Sequence, residues 1–375
     1  MEKLYHRRVI IVGMKYLAVL GRQPEVSAAE LSALYEDVEL LSGKVAVFDS
    51  EQEPDIARLG GVLKIAEKME AKPLVYLSGL SGGKITLGIS DYSKSASRKS
   101  AMIEALKLKK ILIRHGQSVR VVENKEATLS TATSLHNGLS GKNERKIEFI
   151  KVDDAWYKVI GVQDIGAYAK RDQARPARDA KVGMLPPKLA QILINLCGNL
   201  KPGAVVLDPF CGTGVVLQEA LLMGYRAYGT DISERMIKYS EKNLNYFGFD
   251  GYNVEVGDAT SFKWSQPIDA VACEGYLGKP MSQIPSGVSL KEEKQECGTI
   301  VLNFLRNLVE QIVPGTPVVI AVPAWLREDG EYSRLEVVDK IDELGYNVDN
   351  KTREGLLYYR EGQIVARDII ILRKK

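Results

Sequence analysis

Four carboxylates in the second half of the chain are spaced as a ligand site would need them. AVVLDPFCGTGVVLQEALLMGYRAYGTDIS reads as a buried strand ending at Asp208, a tight turn holding Gly212 and Gly214, a helix, and a second strand ending at Asp231. The glycines let backbone approach a ligand closely, and the helix start offers free N–H groups. Three ligand classes use such a turn. A nucleoside triphosphate would need GK followed by Ser or Thr, which is absent, and a dinucleotide would want a small residue where Leu217 stands. S-adenosylmethionine carries no phosphate and needs a polar group for its amino-acid end and a carboxylate for its ribose hydroxyls, needs that Asp208 and Asp231 meet. In VEVGDAT, Asp258 ends a third strand, where it can accept from an adenine amino group. Pro209, Cys211, Ile232 and Ala259 flank these acids and complete the expected cofactor set.

The remaining acid is Glu274. In VACEGYLGKP an apolar run stops abruptly at this carboxylate, followed by Gly275 and Tyr276. IDAVACEG is the fourth strand of a doubly wound sheet, whose carboxyl edge is where ligands bind. An acid there can accept hydrogen bonds from a target amine, and Tyr276 can stack on a base. The competing readings are a strand-end carboxylate paired with Lys279 or an arginine, and a tyrosine used for packing.

These residues need elements to carry them, and 375 residues suit two domains better than one core. The composition, 45% hydrophobic and 26% charged, is that of a globular protein. Four cysteines (Cys197, Cys211, Cys273, Cys297) lie without CxxC or histidine spacing, which predicts reduced thiols, a cytoplasmic protein and no metal. No run approaches the roughly 18 apolar residues that span a membrane. MEKLYHRRVIIVGMKYLAVLG makes a poor signal peptide, and residues 1–13 read as an extension ahead of a natural first strand from Met14.

The first half alternates strand-like and helix-like pieces. YLAVLG, KVAVF, KITLGIS, SVRVVEN and EFIKVD are expected strands; SAAELSALY is an expected helix with Ser27 as N-cap. IARLGGVLKIAEKM reads as a short helix, a break at Gly60 and Gly61, and a second amphipathic piece. KSAMIEALKLKKILIRHG is a helix in a basic block: Lys94 to Lys125 holds nine lysines and arginines against two glutamates in a chain whose net charge is only +3. Such a block is the footprint expected of phosphate contacts, through Lys94, Arg98, Lys99, Lys107, Lys109, Lys110, Arg114 and Arg120, or else a solvated helix face. The expected order is an α+β RNA-binding domain over 1–165, a breaker-rich linker over 166–183, and a second α/β domain over 184–375, opened by a helix at Pro186-Pro187.

DPFCGTG, GTD and the preceding RPARDAKVGMLPPKLAQILINL resemble the class I methyltransferases that modify the guanosine-10 N2 amine of transfer RNA. The likeness covers Arg171 to the end of the chain; the first domain matches only in length, order and basic block. It implies a Rossmann-like, doubly wound seven-stranded sheet with a terminal antiparallel hairpin, preceded by ferredoxin-like and THUMP-like RNA-binding modules. It further implies S-adenosylmethionine as cofactor, tRNA as partner and a cytoplasmic monomer or homodimer. At the fourth strand that family carries Asp or Asn, then Pro-Pro, then an aromatic. Here stands Glu274-Gly275-Tyr276-Leu277: the acid is one methylene longer, both prolines are gone and the aromatic is one place early. Two alternatives remain, a DNA adenine or cytosine amino-methyltransferase and a non-catalytic RNA-binding protein that kept the fold. The hairpin is expected over LLYYREGQIVARDIIILRK with its turn at Glu361-Gly362, and a helix over SRLEVVDKIDELGY; Trp325 and Arg327, after the fifth strand, read as surface packing ahead of the alternative of lining the substrate mouth.

Overall fold

The computed structural model describes residues 13–178 and 184–375. The expected extension, Gly13 apart, and positions 179–183 of the expected linker lie outside the described residues. The elements before the basic helix are β1 (Met14–Leu20), α1 (Pro24–Leu34), β2 (Glu36–Ser42), β3 (Val45–Ser50), β4 (Val62–Lys68), α2 (Pro73–Ser78) and β5 (Lys84–Asp91). There follow α3 (Arg98–Arg114), β6 (Ser118–Val121), α4 (Thr131–His136), β7 (Lys146–Val152), β8 (Ala155–Val162), α5 (Ile165–Gln173) and α6 (Pro187–Leu196).

The chain divides into two compact units. The first comprises 13–21, 35–57 and 62–165; the second takes Arg22–Leu34, Arg58–Gly61 and everything from Gly166 onward. Helix α1 thus belongs to the C-terminal unit although it is among the first segments in sequence.

The first unit is built on one eight-stranded sheet in the order β2-β3-β1-β4-β8-β7-β5-β6. Its pairs are antiparallel except β5 with β6 and with β7. The amphipathic piece after Gly61 is β4, a central strand between β1 and β8. It buries Lys64, 1% exposed: its ammonium meets Glu148 at 2.6 Å, the Leu129 carbonyl at 2.8 Å and Ser134 Oγ at 2.9 Å. Ser90 and Ser134 donate to the same carboxylate, each at 2.6 Å, so every member of the buried network is paired.

Helix α1 starts at Pro24, three residues ahead of the expected cap; Ser27 lies inside it and donates to the Gln23 carbonyl. Proline suits a first helical position because its missing N–H would have no partner there. α1 packs within the second unit. Glu30, fully buried, accepts from the Gly60 and Gly61 N–H groups and from Asn195 Nδ2 of α6. Gly60 is required, since a Cβ there would lie 2.1 Å from the Lys188 carbonyl.

From residue 205 the second unit adds β9 (Val205–Asp208), α7 (Val215–Leu222), β10 (Arg226–Asp231), α8 (Glu234–Tyr246), β11 (Tyr252–Val256), β12 (Ala270–Glu274), α9 (Gly287–Val309) and β13 (Pro317–Leu326). It closes with β14 (Tyr332–Ser333), α10 (Val338–Glu343), β15 (Tyr346–Val348), α11 (Asn350–Glu354), β16 (Leu357–Tyr358) and β17 (Val365–Lys374). The sheet runs β11-β10-β9-β12-β13-β17-β15, seven strands on its path, with the two-residue strands β14 and β16 at its side. β11 to β13 are parallel, and β17 enters antiparallel, completing the Rossmann-like methyltransferase fold expected. Apolar clusters cover both faces, as a parallel sheet requires. Trp325 is fully buried in one of them, a core residue where surface packing was expected. Helix α10 is only six residues of the longer helix expected there.

Candidate active site

Strand order reverses between β9 and β12, the place where an open α/β sheet leaves its ligand crevice. Asp208 and Glu274 are the last residues of those two neighbouring strands, and Asp231 is the last residue of β10. Three of the four carboxylates therefore share one edge, each placed at the carboxyl end of a short parallel strand.

The turn after β9 is held by its own backbone and by Asp231. Phe210 N–H donates to Asp208 Oδ1 at 3.1 Å, Gly214 N–H to the Cys211 carbonyl at 2.7 Å, and Gly212 N–H to Asp231 Oδ2 at 3.0 Å. Gly212 and Gly214 both have positive φ, +50° and +81°, which favours glycine. They differ in what surrounds them. A Cβ on Gly214 would crowd Ser240 of α8 at 3.0 Å, whereas one on Gly212 would meet nothing nearer than the Phe210 carbonyl at 3.9 Å. Gly214 is packed by protein; Gly212 faces open space where a ligand can approach.

Asp208 is 2% exposed. Burial drives its pKa well above the usual carboxylate range; Asp231 and Glu274 push it further up, against the Phe210 N–H. Burial also raises Asp231 and Glu274. Crowded acids of this kind are relieved by a cationic ligand, so the donor set fits S-adenosylmethionine, which brings a sulfonium and an ammonium. Ile232, directly after Asp231, is 73% exposed and available to an aromatic ring. Asp258 lies two residues past the end of β11, exposed, with Oδ1 bonded to Thr260 N and Oγ1. Pro209 is buried, the Cys211 side chain turns into the core beside Gly229, and Ala259 is buried in the second cluster.

Glu274 is not solitary. Its Oε1 accepts from Arg367 Nε of β17 at 2.6 Å, and Lys279 pairs instead with Glu293 and Glu296 of α9. Glu293 also fixes the loop after the strand: the Lys279 N–H reaches its Oε2, and a Cβ on Gly278 would collide with that oxygen at 2.6 Å. Tyr276 is half-buried against the second cluster, its hydroxyl raised by burial and by Glu296. Arg175, 3% exposed, donates to Thr213 Oγ1 of the glycine turn at 3.3 Å.

Arg367, Glu293 and Arg175 escaped the sequence reading. For Arg367 a signal existed: ARDIIIL sets two charges inside an apolar strand, which must each find a partner. They do, Arg367 with Glu274 and Asp368 with Arg334.

In the first unit, α3 buries Ala101, Ala105, Leu108 and Leu112 and turns Lys99, Lys107, Lys110 and Arg114 to solvent. Lys109 is half-buried; Lys94, Arg98 and Arg120 are exposed beyond or at its ends. Arg98 pairs with Glu123, Lys107 with Glu104, and Arg120 bonds Asn137.

A family model described as a methyltransferase domain matches residues 200–339, and one described as a DNA methylase matches 98–242. TrmN from Thermus thermophilus shares 18% identity at a TM-score of 0.49, over 96% of this chain and all of that one, too distant to bear on function. A tRNA (guanine(10)-N2)-dimethyltransferase of Methanothermobacter thermautotrophicus is 32% identical over 41% of this chain but only 44% of its own length. One of Pyrococcus abyssi is 31% identical over 286 residues, 71% of this chain and 78% of that relative. With over two thirds of that relative aligned at this identity, the chain belongs to the tRNA (guanine(10)-N2)-dimethyltransferase family.

Proposed function

We propose that the protein transfers a methyl group from S-adenosylmethionine to the N2 amine of a guanosine in tRNA. The observation that carries this reading is Glu274 and Asp208 together at the switch point of the sheet, beside an open glycine turn. When bound, S-adenosylmethionine supplies an electrophilic methyl on a cationic sulfur. Asp208 and Asp231 would hold its amino-acid end and ribose, Ile232 would pack on its adenine, and Asp258 would accept from the adenine amine.

Glu274 accepts from the target N2–H, directing a nitrogen lone pair that is otherwise delocalised into the base. As the amine took up the methyl, it would shed one N–H proton, which Glu274 would accept and pass on to water. Alignment is the larger effect, about 7–11 kcal/mol, against roughly 10²–10⁴-fold for proton acceptance. The base must leave its stack to reach a strand end, so the RNA is held elsewhere, and the exposed basic face of α3 in a THUMP-like first unit supplies that holding by phosphate contacts.

The test is transfer of labelled methyl to unmodified tRNA with nucleoside analysis. N2-methylguanosine is expected, and Glu274→Ala should lose at least roughly 10²-fold in kcat with cofactor affinity kept. The DNA methylase match over 98–242 favours a second reading, an amino-methyltransferase of DNA. Duplex DNA that competes with tRNA and becomes methylated would favour it.

A further inference from the structure

Arg367 is the third residue of β17, opposite Pro323 of β13 and Tyr358 of β16, so its backbone is fixed on both sides. Its side chain is 8% exposed and that of Glu274 15%. A pair this buried is weak evidence of stabilisation, because desolvation rivals the attraction. The tetrad offers another reason for it. Where the resembled pattern carries two prolines, this chain has Gly275 and Tyr276, which do not restrict the strand end. Gly275 answers to packing, since a Cβ there would meet Ile320 Cδ1 at 3.1 Å. A glutamate also has one more torsion than an aspartate to hold still. The guanidinium reaches Oε1 alone, and among the described residues no bond engages Oε2.

We propose that Arg367 is a positioning residue for methyl transfer: it holds the Glu274 carboxylate ionised and immobile through Oε1, so that Oε2 meets the target amine. The proposal rests on the reading of Glu274 as the acceptor of that amine.

The charged groups bearing on Glu274 are Arg367 from β17 and Asp208 from β9; Asp231 of β10 bears on Asp208, and Cys273 lies beside Glu274 on its own strand. Burial raises the Glu274 pKa and Arg367 opposes it. Removing the guanidinium leaves burial unopposed, so the carboxyl holds its proton to higher pH and no longer accepts. The acid limb of the pH profile must then move upward.

The experiment compares wild type, Arg367→Gln and Arg367→Lys in the full chain, measuring kcat and KM for tRNA across pH and cofactor affinity separately. Arg367→Gln should lower kcat at neutral pH by roughly 30-fold or more, leave KM and cofactor affinity within about threefold, and raise the acid limb by about one pH unit or more. Arg367→Lys keeps the charge and should restore the limb and most of kcat. An unmoved limb with unchanged kcat in Arg367→Gln overturns the proposal. If that variant fails to fold, or if wild type methylates no RNA, the decision passes to NMR of the wild type. The Glu274 side-chain carboxyl, assigned with Glu274→Gln, and the Arg367 Nε should then titrate with one midpoint; separate midpoints overturn the pairing even where the function stands, and a shared midpoint without turnover overturns only the function.

Discussion

Asp208 shows how a site can be built to want a cation. In the ligand-free protein its charge is opposed by burial and by two neighbouring acids, so part of the population carries a proton at pH values where a free aspartate is ionised. A group raised in this way stabilises the fold below its unfolded pKa and loses that contribution as pH rises through the folded value. Cofactor binding runs the other way, because the cation needs the carboxylate. Affinity for S-adenosylmethionine should therefore weaken as pH falls through the raised value, and calorimetry in buffers of different ionisation enthalpy should register proton release. Asp208→Asn should flatten that dependence, weaken binding by roughly 10–100-fold, and leave the melting temperature at pH 8 no lower than wild type. Loss of stability instead would mean that the carboxylate serves the fold. The strand-end acids were legible because an apolar run that stops at Asp or Glu marks the point where a buried strand leaves the core for a polar edge. Arg367 was not, because its partner is 93 residues away in sequence.

At the scale of elements, β4 marks where an amphipathic reading stops short. VLKIAEK reads as an amphipathic piece, yet its Lys64 is buried in a central strand with its counter-ion on β7. No local rule announces a buried ion pair whose partner is 84 residues on. Its cost asymmetry is testable. Lys64→Met strands Glu148 without its cation and should destabilise by about 3–5 kcal/mol, while Lys64→Met with Glu148→Leu should recover much of the loss; denaturant titration of the two variants measures both. Equal losses would place the stability in the serine bonds. Helix α3, by contrast, was readable to within two residues at either end, since its four core residues keep strict helical spacing; its cap, Ser97 with Ser100, is a finding of the structure.

The whole molecule carries the feature least visible in sequence: α1 and Arg58–Gly61 lie within the C-terminal unit. Val26 and Ala29 join the same apolar cluster as Leu189 and Leu193 of α6, and Glu30 is buried against Asn195, its pKa raised to about 7 by burial. A chain beginning at Gly166 retains every strand of the second sheet yet lacks this cover. It should bind a hydrophobic dye and associate on gel filtration; a monomeric, cofactor-binding fragment would show α1 to be dispensable.

The same arrangement sets a clock on synthesis. Glu30 and Asn195 are separated by 165 residues, which a ribosome adds in roughly 8–33 s at about 5–20 residues per second. Through that interval α1 has left the ribosome with its apolar side unpaired, waiting for a partner helix that has not been made.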